Sequence, residues 1–301
     1  IYFMESSEKI LAYLGPEGSY SHICALKLSN ELQISQLKPL AQFTDLQSFA
    51  NSSDKHLSLL PVENSIGGSV NENLDSFLAG YSYWVLLEYV LEISHCLSGY
   101  GTFKDIKEIG GHYQAFYQCE EYLKKNFPQA ILKEFPSSTA ALQSLLTKKS
   151  LKDKTKAAIC SKEAIDLYEV PLIAEKINDL PENYTRFWLV GSSEFLSLRN
   201  LKEKKKLNYL TSLAFKIPQD KPGGLMNVLK PLSEKAINLA KIESRPTKGK
   251  LGEYTFFLDY VNNLPKVEKQ KIIKEIKEQC SSFYEIGTYP VITNSSDTRF
   301  L

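Results

Sequence analysis

Short apolar runs, each followed by a residue that can begin a helix, alternate through the first two-thirds of the chain. Ile10 to Leu14 predicts a strand, and Ser19 can cap the helix that follows it. Leu57 to Val62 predicts a second strand, and the spacing of apolar residues from Asn71 to Leu78 predicts a second helix. This alternation is typical of an α/β fold, in which ligands bind outside the carboxyl ends of the strands.

A second alternating set begins after the apolar segment from Tyr81 to Ile93, which is either a long strand or a crossing segment. Its predicted elements are strands at Ile106 to Gly111, Ile131 to Phe135, Ala157 to Cys160, Leu172 to Ile177 and Arg186 to Val190, and helices at Tyr113 to Phe127, from Ser137 onward and at Lys162 to Tyr168. Two such sets predict two lobes around a cleft. We place the first lobe at 8–85 with 178–192 and the second at 86–177.

From Leu207 onward the predicted elements follow the order βαββαβ. They are strands at Tyr209 to Ile217, Ile237 to Ser244, Tyr254 to Tyr260 and Phe283 to Gly287, and helices from Pro222 and from Pro265 to Cys280. This order is the ferredoxin-like arrangement. The sequence therefore predicts a two-lobed domain at 8–192, a linker at 193–207 and a second domain at 208–290.

Composition argues against several classes of partner. With 36 Lys and Arg residues against 35 Asp and Glu, the formal net charge of +1 gives no electrostatic reason to expect a nucleic acid or an anionic membrane. The most apolar stretch, Tyr81 to Ile93, carries Glu88 and Glu92 and is shorter than the roughly 20 residues of a membrane span. No charged-then-apolar leader precedes the first strand, and the five cysteines are scattered without metal-ligand spacing. We therefore expect a cytoplasmic protein without a metal site.

Two segments that follow predicted strands carry residues suited to binding a ligand. In Gly15-Pro16-Glu17-Gly18-Ser19, the glycines let backbone amides approach a ligand, and the helix N-terminus favours an anion. In Pro61-Val62-Glu63-Asn64-Ser65, a carboxylate, an amide and a hydroxyl are adjacent at the end of a strand. The alternative interpretations are a tight turn for the first segment and, for the second, a polar turn in which Asn64 bonds its own backbone.

A third segment, Asn183-Tyr184-Thr185-Arg186 followed by Phe187, places a hydroxyl beside a guanidinium at the start of a predicted strand. Thr185 can donate a hydrogen bond to a departing oxygen. Arg186 can hold a carboxylate at two points or pack structurally, and the sequence leaves both roles open. The run Ser137-Ser138-Thr139 can cap a helix, and backbone amides there can also bind a carboxylate.

Together the three segments resemble the signature of the prephenate dehydratase family, and the resemblance extends from about Leu11 to about Tyr289. It implies a catalytic domain similar in fold to the type II periplasmic binding proteins. It also implies conversion of prephenate to phenylpyruvate, with loss of the ring hydroxyl and of carbon dioxide. Because aromatisation drives this reaction, no metal or redox cofactor is implied.

The resemblance also implies roles for individual residues. Thr185 would be the donor to the leaving hydroxyl, Glu63 a proton relay and Arg186 a ligand of a substrate carboxylate. The substrate-binding residues that it implies are Gly15, Gly18, Ser19, Asn64, Ser65, Ser138, Thr139 and Phe187.

The segment Gly111-His112-Tyr113-Gln114-Ala115-Phe116-Tyr117-Gln118-Cys119 resembles a family segment that has proline at the position of Tyr113. In family relatives this region bears on whether prephenate or its amino analogue arogenate is accepted. An arogenate dehydratase is therefore one alternative. A non-catalytic, two-lobed amino-acid sensor is another, although no DNA-binding or membrane-attachment segment is recognisable.

The C-terminal domain resembles an ACT regulatory domain through Pro222-Gly223-Gly224-Leu225-Met226 and Glu243-Ser244-Arg245-Pro246. The resemblance implies allosteric control by L-phenylalanine bound between chains of a homodimer or homotetramer. The residues implied in that site are Gly223, Gly224, Leu225, Met226, Asn238, Leu239, Glu243 and Ser244. Because the first predicted strand begins at Ile10, we expect a monofunctional chain without a preceding chorismate mutase domain.

Overall fold

The computed structural model describes residues 9–147, 152–192, 207–218, 222–247 and 253–293, and every structural statement below refers to them. The strands are β1 Ile10–Leu14, β2 Gln36–Leu40, β3 His56–Asn64, β4 Gly68–Ser69, β5 Trp84–Glu92, β6 Cys96–Gly99, β7 Glu108–Gly111, β8 Ile131–Glu134, β9 Lys156–Cys160, β10 Leu172–Ala174, β11 Tyr184–Gly191, β12 Asn208–Lys216, β13 Leu239–Pro246, β14 Tyr254–Val261 and β15 Ser282–Thr293. The helices are α1 Tyr20–Leu32, α2 Phe43–Ser52, α3 Asn71–Ser76, α4 Tyr113–Gln118, α5 Glu120–Asn126, α6 Ser138–Ser144, α7 Lys162–Tyr168, α8 Gly224–Glu234 and α9 Lys266–Glu278. The linker predicted at 193–207 lies outside the described residues except for Leu207.

The first lobe is built around one end of a ten-stranded sheet, the end that contains β5, β11, β3, β1 and β2. Strand β1 pairs in parallel with β2 and β3, and β11 lies antiparallel between β3 and β5. Side chains that alternate along these strands fill two cores, one on each face of the sheet. Leu28 of α1 belongs to one core and Leu46 of α2 to the other, so helices cover both faces.

The second lobe is a five-stranded sheet in the order β10-β6-β9-β7-β8. Its parallel strands β8, β7 and β9 alternate along the chain with helices α4 to α7, as the sequence predicted. The α/β fold class is therefore confirmed for both lobes.

The lobe boundary predicted at residues 85 and 86 is wrong. Strand β5 pairs with β11 along its whole length, from Glu92 opposite Tyr184 to Trp84 opposite Gly191, so residues 86–92 belong to the first lobe. The chain crosses to the second lobe only after Glu92, and β6 begins at Cys96. One more bond of this pairing, from Ile93 N–H to the Asn183 carbonyl, precedes the crossing.

The predicted helix from Tyr113 to Phe127 is two helices, α4 and α5, separated at Cys119. Cys119 leaves helical geometry with φ −125° and ψ 18°. The carboxylate of Asp179 accepts hydrogen bonds from the amides of Glu121 and Tyr122, each at 2.9 Å, and so caps the second helix. This cap comes from a residue distant in sequence, which is why helical periodicity did not reveal the break.

The C-terminal domain has the predicted βαββαβ order, and its strands lie in the order β13-β14-β12-β15. Helices α8 and α9 pack on one face through a core that includes Val228, Leu232, Ile272 and Ile276. Strand β15 runs to Thr293, beyond the predicted domain end at 290. Its last residues pair in parallel with β5, with Val291 opposite Glu88, so both domains share one continuous sheet.

Candidate functional site

A cleft of about 780 Å³ lies between the two lobes, at the carboxyl ends of β1 and β3. Eight of the residues implied in catalysis or substrate binding line it: Gly15, Gly18, Ser19, Asn64, Ser138, Thr139, Thr185 and Phe187. Three others, Glu63, Ser65 and Arg186, are not among its lining residues.

Strand geometry decides which side chains face the cleft. Thr185 lies opposite Asn64 on the neighbouring strand, and both line the cleft. Arg186 lies opposite Glu63, one position along each strand, and both therefore point to the other face of the sheet. A β-bulge at Val62 adds one residue to β3 at this point. Pro61 therefore lies opposite Phe187, and both line the cleft.

Arg186 is bound by three carboxylates on that opposite face, which favours the structural one of the two roles that the sequence left open. Its guanidinium donates to Glu88 at 2.9 and 2.7 Å, to Asp259 at 2.8 Å and to Glu63 at 2.7 Å. The side chains of Glu88 and Asp259 are only 2% and 5% exposed. Asp259 belongs to β14 of the C-terminal domain, so the structural role of Arg186 includes joining the two domains.

Glu63 and Ser65 also make their contacts outside the cleft lining. Glu63 accepts from Arg186 and lies 3.3 Å from the ammonium of Lys241, so its carboxylate faces away from the hydroxyl of Thr185. Ser65 exchanges hydrogen bonds with the backbone of Tyr184, through its amide at 2.8 Å and its hydroxyl at 2.9 Å. These bonds fix the loop after β3 against β11.

Four helices begin at the cleft. Their N-cap residues are Ser19 for α1, His112 for α4, Ser137 for α6 and Ser161 for α7, and all four line it. The described residues that line the cleft include no Lys, Arg, Asp or Glu. The partial positive charge of helix N-termini, carried by backbone amides, therefore faces the cleft, an arrangement that favours anions.

Two glycines let the lobes meet on either side of the cleft. Gly18 has φ +85°, and a Cβ there would lie 3.2 Å from the side chains of Ala164 and Tyr168 in the second lobe. A Cβ on Gly67 would lie 3.3 Å from Nε2 of Gln114. A larger residue at either position would require the contacting side chain of the second lobe to move.

A chain of amide side chains orients Thr185. Backbone amides of Ile66 and Gly67 donate to Oδ1 of Asn64 at 3.1 and 2.7 Å, which fixes the Asn64 amide group with Nδ2 toward β11. That Nδ2 lies 3.0 Å from Oγ1 of Thr185 and 2.8 Å from Oδ1 of Asn183. Asn183 in turn donates to Oε1 of Gln118 at 2.9 Å. The backbone bonds to Asn64 therefore determine which side-chain atom donates and which accepts in Asn64, Asn183 and Gln118.

The same chain sets the tautomer of His95, a buried residue that lines the cleft. Because Oε1 of Gln118 is an acceptor, Nε2 of His95 at 2.8 Å must carry the hydrogen. Nδ1 of His95 lies 3.0 Å from the hydroxyl of Tyr20, which donates to the carbonyl of Ser94 at 2.8 Å. Burial lowers the pKa of His95, against the opposing effect of the Gln118 hydrogen bond, so the ring is neutral near pH 7.

We expect His95→Leu to lower turnover about tenfold, because one hydrogen bond of roughly 1.4 kcal/mol no longer holds Gln118. His95→Gln should keep most of the activity, since its terminal NH₂ can donate in place of Nε2–H. Steady-state rates and melting temperatures of the two variants test this. Equal losses in both variants, or a loss in His95→Leu that only follows unfolding, would contradict the positioning role.

His95, Gln118, Asn183 and Tyr20 were not predicted as site residues. Gln118 lies in the family-like segment 111–119, and Asn183 begins the segment that carries Thr185, so two of the four lay in segments that the sequence singled out. Within the described ranges, no group of three or more His, Cys, Asp or Glu side chains could hold a metal ion. None of the helices described reaches the length and apolarity needed to cross a membrane.

The residues implied in an effector site lie at the start of α8 and along β13. Gly223 has φ +83° and caps α8, while Met226 and Leu239 are exposed and Leu225 packs on the domain core. Glu243 and Ser244 alternate on β13 and point to opposite faces. Glu243 accepts a hydrogen bond from Ser69 of the first lobe.

Comparison with known proteins assigns the chain to a family. The sequence profile of the prephenate dehydratase family matches residues 11–194. The chain belongs to this family. Prephenate dehydratase of Methanocaldococcus jannaschii is 34% identical over 287 residues, which cover 94% of this chain and 98% of the relative. Prephenate dehydratase of Lactococcus lactis subsp. cremoris is 34% identical over 254 residues, 84% of this chain and 87% of that one.

Solved structures of the prephenate dehydratase family share the fold as well. The crystal structure of the enzyme from Arthrobacter aurescens in complex with L-Phe superimposes with a TM-score of 0.80 at 25% identity. The match covers 93% of this chain and 89% of that chain. It therefore extends over both lobes and the C-terminal domain, and the family predicted from the three sequence segments is confirmed.

Proposed function

We propose that the chain converts prephenate to phenylpyruvate, with Thr185 as the donor to the leaving hydroxyl. The observation that carries this assignment is the contact between Nδ2 of Asn64 and Oγ1 of Thr185 at 3.0 Å. Because Thr185 accepts this bond, its own hydrogen can be donated to an oxygen bound in the cleft. Membership of the prephenate dehydratase family supports the reaction.

Backbone amides would hold the carboxylates of the substrate. The amides at the starts of α1 and α6 face the cleft beside Ser19, Ser138 and Thr139, and no cationic side chain among the described lining residues competes with them. The same lining contains no carboxylate to pair with the ammonium of arogenate. This favours prephenate over arogenate as substrate, with Tyr113 part of the wall at the position of the family proline.

In the reaction, the bond between the ring and its hydroxyl breaks as a proton reaches the departing oxygen, and water leaves. The electrons of the bond to the ring carboxylate move into the ring, which becomes aromatic, and carbon dioxide leaves. Thr185 lowers the barrier by hydrogen bonding the leaving oxygen, and solvent supplies the proton in the net reaction. Phe43, Ile93 and Phe187 give the cleft an apolar wall, which favours loss of charge from a carboxylate as it becomes carbon dioxide.

The test is to mix the purified protein with prephenate and follow phenylpyruvate by its absorbance in alkali. Phenylpyruvate formation that scales with protein concentration supports the proposal. A parallel incubation with arogenate should give little phenylalanine. A protein that binds amino acids but converts neither compound would instead be the two-lobed sensor.

We further propose that L-phenylalanine controls the activity through the C-terminal domain of a cytoplasmic homodimer or homotetramer. Support comes from the L-Phe complex of the Arthrobacter aurescens relative. The exposed side chains of Met226 and Leu239, with the amides at the start of α8, provide an apolar and polar surface for such a ligand. All five cysteines are free, which suits a reducing compartment.

Gly223→Val should abolish the response to phenylalanine while leaving basal activity near that of the parent. A β-branched residue is strained at φ +83°, so the turn before α8 must change shape. Calorimetry with phenylalanine, run beside the activity assay, measures both effects. Binding and inhibition that survive this substitution unchanged would rule out the effector site at this turn.

A further inference from the structure

The C-terminal domain touches the wall of the cleft directly at Ser69. Ser69 lines the cleft from β4, the short strand that pairs with the end of β3. Its hydroxyl donates to Oε2 of Glu243 at 2.5 Å and accepts from Nζ of Lys241 at 2.6 Å. Lys241 and Glu243 both project from β13, two residues apart on one face of the strand.

The two charged residues are mostly shielded from solvent and bind each other. Lys241 is 12% exposed and lies 3.1 Å from Oε2 of Glu243 and 3.3 Å from Oε1 of Glu63. Burial alone would raise the pKa of Glu243, but hydrogen bonds from Ser69 and Lys241 outweigh it and hold that pKa below its ordinary value. Glu243 is therefore ionised and remains an acceptor for the Ser69 hydroxyl.

This contact fixes what the cleft wall offers to a ligand. Because the hydrogen of Ser69 is donated to Glu243, the hydroxyl presents only an acceptor lone pair toward the cleft. Gly68 and Ser69 pair with Asn64 and Glu63, so the position of β4 also constrains the strand end that carries Asn64. Ser69 is thus a residue of the described cleft lining that is hydrogen bonded directly to the C-terminal domain.

We propose that Lys241 and Glu243 are positioning residues of the cleft: from the C-terminal domain they orient Ser69 and hold β4 against the end of β3. This inference rests on the proposed dehydratase function. It also suggests a route for the proposed regulation, since Leu239 and Ser244 of the implied effector site lie on the same strand as Lys241 and Glu243. A shift of β13 on effector binding would be transmitted to Ser69 through two direct hydrogen bonds.

Lys241→Met tests the proposal, with Arg245→Met as a matched control. Arg245 lies on the same face of β13 and also joins the two domains, through Asp75 of α3 at 2.7 Å. It lies 3.9 Å from Oε1 of Glu243, but its hydrogen bonds go to α3 and not to β4. We expect Lys241→Met to raise KM for prephenate about fivefold to tenfold with a smaller change in kcat, as for loss of one hydrogen bond to a charged group. Arg245→Met should leave KM within about twofold at a similar loss of melting temperature.

Two further measurements separate this inference from the proposed function. In a Ser69→Ala background, Lys241→Met should add little to KM, because the residue acts through Ser69. Amide exchange of residues 64–70, measured without substrate, should accelerate in Lys241→Met and not in Arg245→Met. Equal exchange in both variants, or additive effects on KM, would overturn the inference even if the parent converts prephenate. A parent protein that leaves prephenate unchanged would overturn the proposed function, while the exchange result would still decide the role of Lys241 in holding β4.

Discussion

Thr185→Val should lower turnover of prephenate by on the order of a hundredfold or more, with little change in substrate binding. Valine keeps the shape of threonine but removes the hydroxyl that faces the cleft. The loss falls on kcat because the bond to the leaving oxygen strengthens as charge develops in the transition state. Stability should hold, since Nδ2 of Asn64 retains acceptors at Asn183 and at the Tyr184 carbonyl.

Steady-state rates of Thr185→Val and Thr185→Ser check this expectation. Serine keeps a hydroxyl at the same position and should retain a substantial part of the activity. A valine variant that turns over near the parent rate would show that another group protonates the leaving oxygen. Two variants that are equally slow would point to packing of the threonine methyl group instead.

Arg186→Met should be among the most destabilising single substitutions in the protein, lowering the free energy of unfolding by roughly 3 to 5 kcal/mol. The cause is the uncompensated charge left on Glu88 and Asp259, which are almost completely buried. The melting temperature should fall by about 10 °C, from the usual relation for a chain of this size. KM for prephenate should stay close to that of the parent, because Arg186 does not line the cleft.

Arg186→Lys offers a graded comparison. It keeps the positive charge, but a single ammonium cannot reproduce four hydrogen bonds to three carboxylates, so a smaller loss of stability is expected. Thermal unfolding measured beside Michaelis constants decides between the two roles that the sequence left open. An increase in KM without loss of melting temperature would restore the role of carboxylate ligand.

The contrast between Thr185 and Arg186 shows what sequence can predict about this site. The motif lies on β11 at the edge of the cleft, and Thr185 is one of the lining residues. Adjacent residues on a strand face opposite ways, so a strand start at this pair already implied that only one of them could face the ligand. Whether Glu63 or Asn64 faces the cleft was harder to predict, because it depends on a β-bulge at Val62 that has no signal in the local sequence.

Other parts of the site depend on contacts between distant segments. The chain of amides joins Asn64, Gln118 and Asn183, and it ends at His95 and Tyr20, so five regions of sequence meet there. No periodicity relates them, and each residue alone is an ordinary polar side chain. Local signals did predict the βαββαβ order and the helix caps Ser19 and Ser137, since those features are set by neighbouring residues.

The pairing of β15 with β5 gives the C-terminal domain a structural role that does not depend on an effector. Strand β5 pairs with β11 on one side, and among the described residues its partners on the other side are the last residues of β15, from Val291 to Thr293. An uncovered strand of this kind, rich in Val and Leu, is a template for pairing with other chains and for aggregation. The C-terminal domain therefore acts as a cap on the catalytic sheet, and selection for solubility would keep it attached even in a relative that no longer responds to an effector.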